Sequence, residues 1–229
     1  MATQSAATVD TVLQEVSDLR GETSTNSSAV RIRAVSKAER DYAKRQFWTV
    51  HLIPEQSIGT GDGVTSSFTI GSTLYPMRLH GLFEVFVGGT TEDKRYEILE
   101  YKDYRVRYNA DSTSRICYPY YDPASDAWKV KINPTPSSGD AITASWYWEP
   151  PTRTDTSDVV VCTNMKIISR LSLAYIYEGE DEDKYQENLQ MAEGLIALES
   201  GVEDTPAVGT LNQVKAIENS GKSRGIGAY

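Results

Sequence analysis

The chain has 229 residues, with 32 Asp and Glu against 23 Lys and Arg and a formal net charge of −9. That length holds one large domain or two small ones around a genuine core, so no covalent staples are needed. The acidic balance argues against general nucleic-acid coating and leaves only local basic patches to consider.

The opening "MATQSAATVDTVLQEV" has no basic region ahead of an apolar run, and nowhere do roughly eighteen apolar residues occur together. A soluble, unexported protein with no membrane partner is expected. Val9, Val12, Leu13, Val16 and Leu19 then fall on one stripe of a first helix. Polar "GETSTNSS" breaks it, and Ser28 is positioned to cap a second helix from about Ala29 to Trp48. Val35, Ala38 and Tyr42 share one face of that helix. A turn of about 100° per residue gathers Arg33, Lys37, Arg40 and Lys44 on the opposite face.

From Thr49 to about Trp148 the hydrophobic period changes to two. The segment "GTGDGVTSSFTI" (59–70) packs glycines ahead of hydroxyls, as a phosphate cradle does. Such a cradle must open a helix, because the helix N-terminus supplies the N–H groups. Here Val64, Ser66, Phe68 and Ile70 alternate with Thr65, Ser67 and Thr69, so the loop reads as a turn feeding a strand. "FEVFV" (83–87), "YRVRY" (104–108), "RICYPYY" (115–121), "WKVKI" (128–132) and "AITASWYW" (141–148) follow as further strands between turn clusters. With no helical crossover between them, a small antiparallel sandwich or barrel is expected.

"EPPTRTDTSD" (149–158) stiffens the exit from the sheet region. A third helix is expected over about Val159 to Tyr177, with Met165, Ile168, Leu171, Ser172 and Tyr175 at helical spacing. A fourth starts near Glu180 with acidic residues in its first turn, turns Leu189, Ala192 and Ile196 inward, and ends at Gly201. Beyond it the chain has weak periodicity, several glycines and little to bury, which reads as an extended tail ordered against a partner. The expected fold class is α+β: a helical bundle domain from 1–50 and 155–200, an inserted antiparallel β sandwich or barrel-like domain at 51–154, and a tail at 201–229.

Resources for catalysis are thin. His51 and His80 form no metal-spaced pair, and Cys117 and Cys162 no CxxC, so both thiols read as small apolar side chains. The acidic run 178–183 lacks the ligand spacing of a calcium loop and reads as a solvated helix start. No catalytic residue, cofactor or metal is expected, and the protein is not expected to be an enzyme. The aromatics of 118–128 and 146–151 fit core or interface positions, with sugar stacking as the functional alternative. The stripe Arg33, Lys37, Arg40 and Lys44 admits a solvated or internally paired face, a subunit interface or a DNA-facing surface.

The order "VDTVLQEVSDLRGE", "SSAVRIRAVSKAERDYAKRQFW", a β segment, a helical pair and a loose C-terminus resembles the head-to-tail adaptor, or connector, proteins of tailed bacteriophages. Within the β segment, "GDGVTSSFTI", "FEVFVGG", "DYRVRYN" and "INPTPSSGDAITASWYW" are similar to the turn-and-strand succession of phage virion proteins. The resemblance spans most of the chain and is architectural. It implies a virion neck protein assembled in the host cytoplasm as a homo-oligomeric ring, typically a dodecamer. Such a ring lies between the portal and the next tail or nozzle protein, and double-stranded DNA passes through it without sequence-specific contact. It further implies that the tail reaches the portal, with Leu211, Val214, Ile217, Ile226 and Tyr229 as anchors and Lys215, Lys222 and Arg224 supplying positive charge. The long β insertion keeps open a gatekeeper or nozzle-like protein one layer below, and a β-rich receptor-binding, carbohydrate-binding tail protein.

Overall fold

A computed structural model describes residues 7–46, 48–71 and 76–203 of the chain. Its elements in chain order are β1 (Ala7–Thr8), α1 (Val9–Leu19), α2 (Ala29–Arg45), β2 (Leu52–Thr60), β3 (Ser67–Ile70), β4 (Met77–Val87), β5 (Glu97–Ile98), α3 (Tyr101–Ala110), β6 (Ile116–Asp122), β7 (Ala127–Asn133), β8 (Ala141–Trp148), β9 (Val159–Val160), α4 (Met165–Tyr177) and α5 (Glu182–Glu203). The protein is mixed α+β, and among the described residues none of its sheets closes into a barrel.

The Thr8 side chain caps α1 by accepting from the Thr11 amide at 3.3 Å. Val9, Val12, Leu13 and Val16 are buried as the stripe requires, whereas Leu19 is exposed. Gly21, at φ 70°, takes the left-handed conformation that turns the chain out of the helix, and the Glu22 amide donates back to the Ser17 carbonyl at 3.0 Å. Ser28 stands at the N-cap of α2 without making the expected side-chain bond. That helix also ends earlier than Trp48. The indole of Trp48 turns back instead, stacks on Tyr42 at 4.4 Å and donates to the Tyr42 carbonyl at 2.7 Å.

α4 packs against α1, α2 and α5, and these four helices share one apolar core around Val12, Leu13, Val35, Tyr42, Trp48, Ile168 and Leu171. α4 starts at Met165, later than the periodicity implies. Val159 and Val160 pair antiparallel with β1 instead, a use that suits β-branched residues, and Asn164 then caps the helix by accepting from the Lys166 amide. α5 runs through Gly201 to Glu203 rather than stopping at the glycine.

The β region forms two larger sheets with orders β2-β8-β4 and β3-β7-β6-β5. A second apolar core draws on both, with Val85, Val87, Ile142 and Ala144 from the first and Phe68, Ile70, Val130 and Ile132 from the second. Gly61 opens the loop into β3 and has no room for a Cβ, which would meet the Ser137 carbonyl and the Pro136 ring. Asp62 fastens this loop by accepting from the Val64 and Thr65 amides and the Thr65 hydroxyl. The expected turn-and-strand is therefore present, with the strand beginning at Ser67.

The expectation for "YRVRY" is overturned. Residues 104–108 lie in helix α3, which carries the chain from β5 to a parallel partner, β6, so a helical crossover exists and the sheet is not wholly antiparallel. The sequence alternates in twos, but the side chains do not. Tyr104 is buried against Tyr118 with ring centroids 4.5 Å apart, Val106 is exposed, and Tyr104 stacks on Tyr108 one turn away at 6.0 Å.

Candidate functional site

The outward face of α2 borders a groove of about 370 Å³ lined by Arg33, Ser36, Lys37, Arg40, Asp41, Lys44, Thr152 and Tyr175. The helical period places the cations in one row, while Val35, Ala38 and Tyr42 anchor the opposite face with no solvent exposure. α4 supplies one wall through Tyr175, and the segment leaving β8 supplies the other through Thr152.

The row is held by carboxylates from distant parts of the chain. Lys37 donates to Glu178 at 2.6 Å and lies 4.0 Å from the centre of the Tyr175 ring. Arg40 and Lys44 share Glu149, at 2.7 and 3.3 Å. Burial works against ionisation of Glu149, yet these two cations hold its carboxyl below the usual carboxylate range. Arg33 reaches back along its helix to the Ala29 carbonyl. On the floor, Asp41 accepts from the Tyr175 hydroxyl and from Arg45, each at 2.8 Å; burial, then Asp41, pushes the Tyr175 phenol up. One carboxylate thus serves two cations at the Glu149 end, and the groove is a concentration of positive charge on an acidic molecule.

The acidic run at the start of α5 bonds locally within the chain. Asp181 pairs with Lys184 at 3.3 Å, and Glu182 accepts from Gln186 on its own helix. The stripe's own partners, Glu149 and Glu178, stand where a strand and a helix end, a position that periodicity does not mark.

Below the groove lies a charge pair that sequence reasoning missed. Glu39 is fully buried and accepts from both Nε and Nη2 of Arg153, at 2.7 and 2.8 Å, and from the Val161 amide at 2.9 Å. The Arg153 amide donates to Ser36 Oγ. These bonds fasten the segment after β8 to α2 and so fix Glu149 and Thr152 at the groove.

A wider cleft of about 620 Å³ adjoins the groove and shares Arg40 and Thr152 with it; Glu149 lines this cleft, and Tyr121, Trp128, Pro150 and Pro151 form its apolar part. Tyr121 is exposed and meets Trp128 edge-on at 5.7 Å. Trp146, Tyr147 and Trp148 are buried, so that run offers no stacking platform. His51 is also buried, edge-on to Tyr42 and to Trp148, and thus joins the aromatics of the helical core to those of the sheets. Among the described residues no group of His, Cys, Asp and Glu has the arrangement of a metal site. Leu211, Val214, Ile217, Lys222, Arg224, Ile226 and Tyr229 lie outside the described residues. Comparison with protein-family models and with curated proteins returns no match.

Proposed function

We propose that this protein is a structural component of a tailed-phage neck, a head-to-tail adaptor that assembles as a ring between the portal and the tail around the DNA passage. On this reading 1–50 and 155–200 form the helical adaptor domain, 51–154 is a sandwich-like β insertion facing the next tail component, and 201–229 is the portal-docking tail. The element order supports it: α1 and α2 pack with α4 and α5 although the sheets intervene in sequence.

The observation that carries the reading is the charge layout. A cationic groove on α2 and an acidic stretch at 180–183, at the start of α5, lie on the same chain. Such a pair of unlike surfaces suits a head-to-tail contact, which closes into a ring where the rotation between copies divides the circle and otherwise runs on as a filament. Complementary charge steers that encounter. Exposed pairs are worth only about 0.2–1 kcal/mol each, so assembly depends on several acting together. Mass photometry of the wild-type chain is expected to find a ring whose population falls as salt rises. A chain that stays monomeric at low salt, with and without portal, contradicts the reading.

A second reading, a glycan-binding tail protein, draws on Tyr121 and Trp128 in the adjoining cleft. It requires a change in tryptophan fluorescence when host surface glycans are added, and the adaptor reading requires none.

A further inference from the structure

The α2 groove holds more positive charge than its carboxylates offset. Glu178 takes Lys37 and Glu149 takes both Arg40 and Lys44, while Asp41 is matched by Arg45, so the row Arg33, Lys37, Arg40 and Lys44 keeps a surplus of two positive charges. Donors are left over as well. Arg33 is exposed and spends only Nε, on the Ala29 carbonyl, and Arg40 commits Nε and Nη2 to Glu149 and leaves Nη1. Ser36, 3% exposed, lines the groove about one turn from each of these arginines. Its Oγ accepts the Arg153 amide at 2.9 Å, and its own O–H has no acceptor among the described residues. A buried hydroxyl with an unspent proton in a cationic groove points to an acceptor atom that arrives from outside.

We propose that this groove binds a phosphate group in its dianionic form, with Arg33, Lys37 and Arg40 around it and the Ser36 hydroxyl donating from below. Two charges on the ligand match the surplus of two. The paired donors of arginine fit phosphate oxygens two at a time. A rise of about 1.5 Å per residue sets Arg33 and Arg40 about 10 Å apart along α2, close enough for both long side chains to close on one group above Ser36. Inorganic phosphate or a phosphomonoester carries both charges on one group. A nucleic-acid backbone carries one per phosphate and brings many of them against a chain of net charge −9. The small dianion is therefore the source that the groove favours. The site belongs to the single chain and does not depend on a ring; where a ring forms through this groove, phosphate and the neighbour's acidic stretch compete for it.

Label-free thermophoresis of the full chain at about pH 8 tests this, with inorganic phosphate replacing chloride at constant ionic strength. The protein is held at a concentration where mass photometry finds single chains, so the result is read apart from ring formation and portal. Wild-type chain is expected to bind phosphate saturably. Arg33→Gln removes an exposed cation with no partner beyond its own helix among the described residues, and is expected to weaken binding about tenfold. Arg105→Gln removes a cation on α3, outside the groove, and is expected to leave binding unchanged. Absence of saturable binding by the wild-type chain overturns the proposal, as does Arg33→Gln binding phosphate as tightly as wild type. A short DNA duplex that binds more tightly than inorganic phosphate, and loses that binding in Arg33→Gln, also overturns it by making the nucleic-acid backbone the ligand.

Discussion

Arg153 closes a two-pronged ion pair on Glu39, a carboxylate with no solvent exposure, and thereby ties the segment leaving the last long strand to the middle of α2. Removing one partner strands the other charge in a site that water does not reach. Glu39→Ala is expected to cost about 3–5 kcal/mol in urea denaturation. Glu39→Leu with Arg153→Met is expected to cost clearly less than Glu39→Ala, because no buried charge is left, although the Val161 amide still loses its acceptor. A double variant at least as unstable as Glu39→Ala would show that the pair acts by shape and not by charge.

Gly61 supplies the second prediction. It is needed for close approach and not for an unusual φ, since an added methyl would collide with backbone at Ser137. Gly61→Ala is expected to lose about 1–3 kcal/mol, the usual scale of overpacking, measured as a shift in the denaturation midpoint. An unchanged midpoint would mean that the loop yields freely.

Acid should act through Glu22. Its hydrogen bond from Arg31, supported by Arg20, outweighs burial and lowers the carboxyl from an ordinary 4.5 to about 2. A depressed folded pKa contributes stability that is complete above 4.5 and disappears as pH falls toward about 2. Glu22→Gln is therefore expected to lower the melting temperature at neutral pH and to leave a shallower acid decline through that window. A variant with the wild-type melting temperature at neutral pH would remove Glu22 from the account.

The thiols report on the two cores separately. Cys162 lies in the helical core and Cys117 among the sheets; burial pushes Cys162 up to about 12 and Cys117 further. Neither is expected to react with an aromatic disulfide reagent on the timescale of the unfolded chain, and in dilute urea the two should label at different rates if helices and sheets open separately. Identical rates across the urea series would indicate one cooperative unit.

Periodicity located much of this fold. Val35, Ala38 and Tyr42 face inward as their spacing requires, with Glu39 buried among them on Arg153, and the alternation in 128–132 and 141–148 matches strands that feed the second core. "YRVRY" misled because a Tyr at every fourth residue serves a helix as well as a strand, and Tyr118 across the way decides the matter. The cations of the groove were legible as a stripe on one helix. Their partners were not. Arg40 meets Glu149 across 109 positions and Lys37 meets Glu178 across 141, and Arg153 reaches Glu39 across 114. Local sequence carries no record of contacts made by chain segments that return from so far.

The most direct test of the adaptor reading is electron cryomicroscopy of the protein mixed with portal rings encoded by the same genome, alongside Arg33→Glu, Lys37→Glu, Arg40→Glu and Lys44→Glu combined in one chain. The wild-type protein is predicted to add a ring to one end of the portal, with the α2 groove against the neighbouring copy. The reversed protein is predicted to stay folded and fail to close the ring. Portal particles that gain no density from the wild-type protein, or a ring that forms equally with the four charges reversed, would contradict the account.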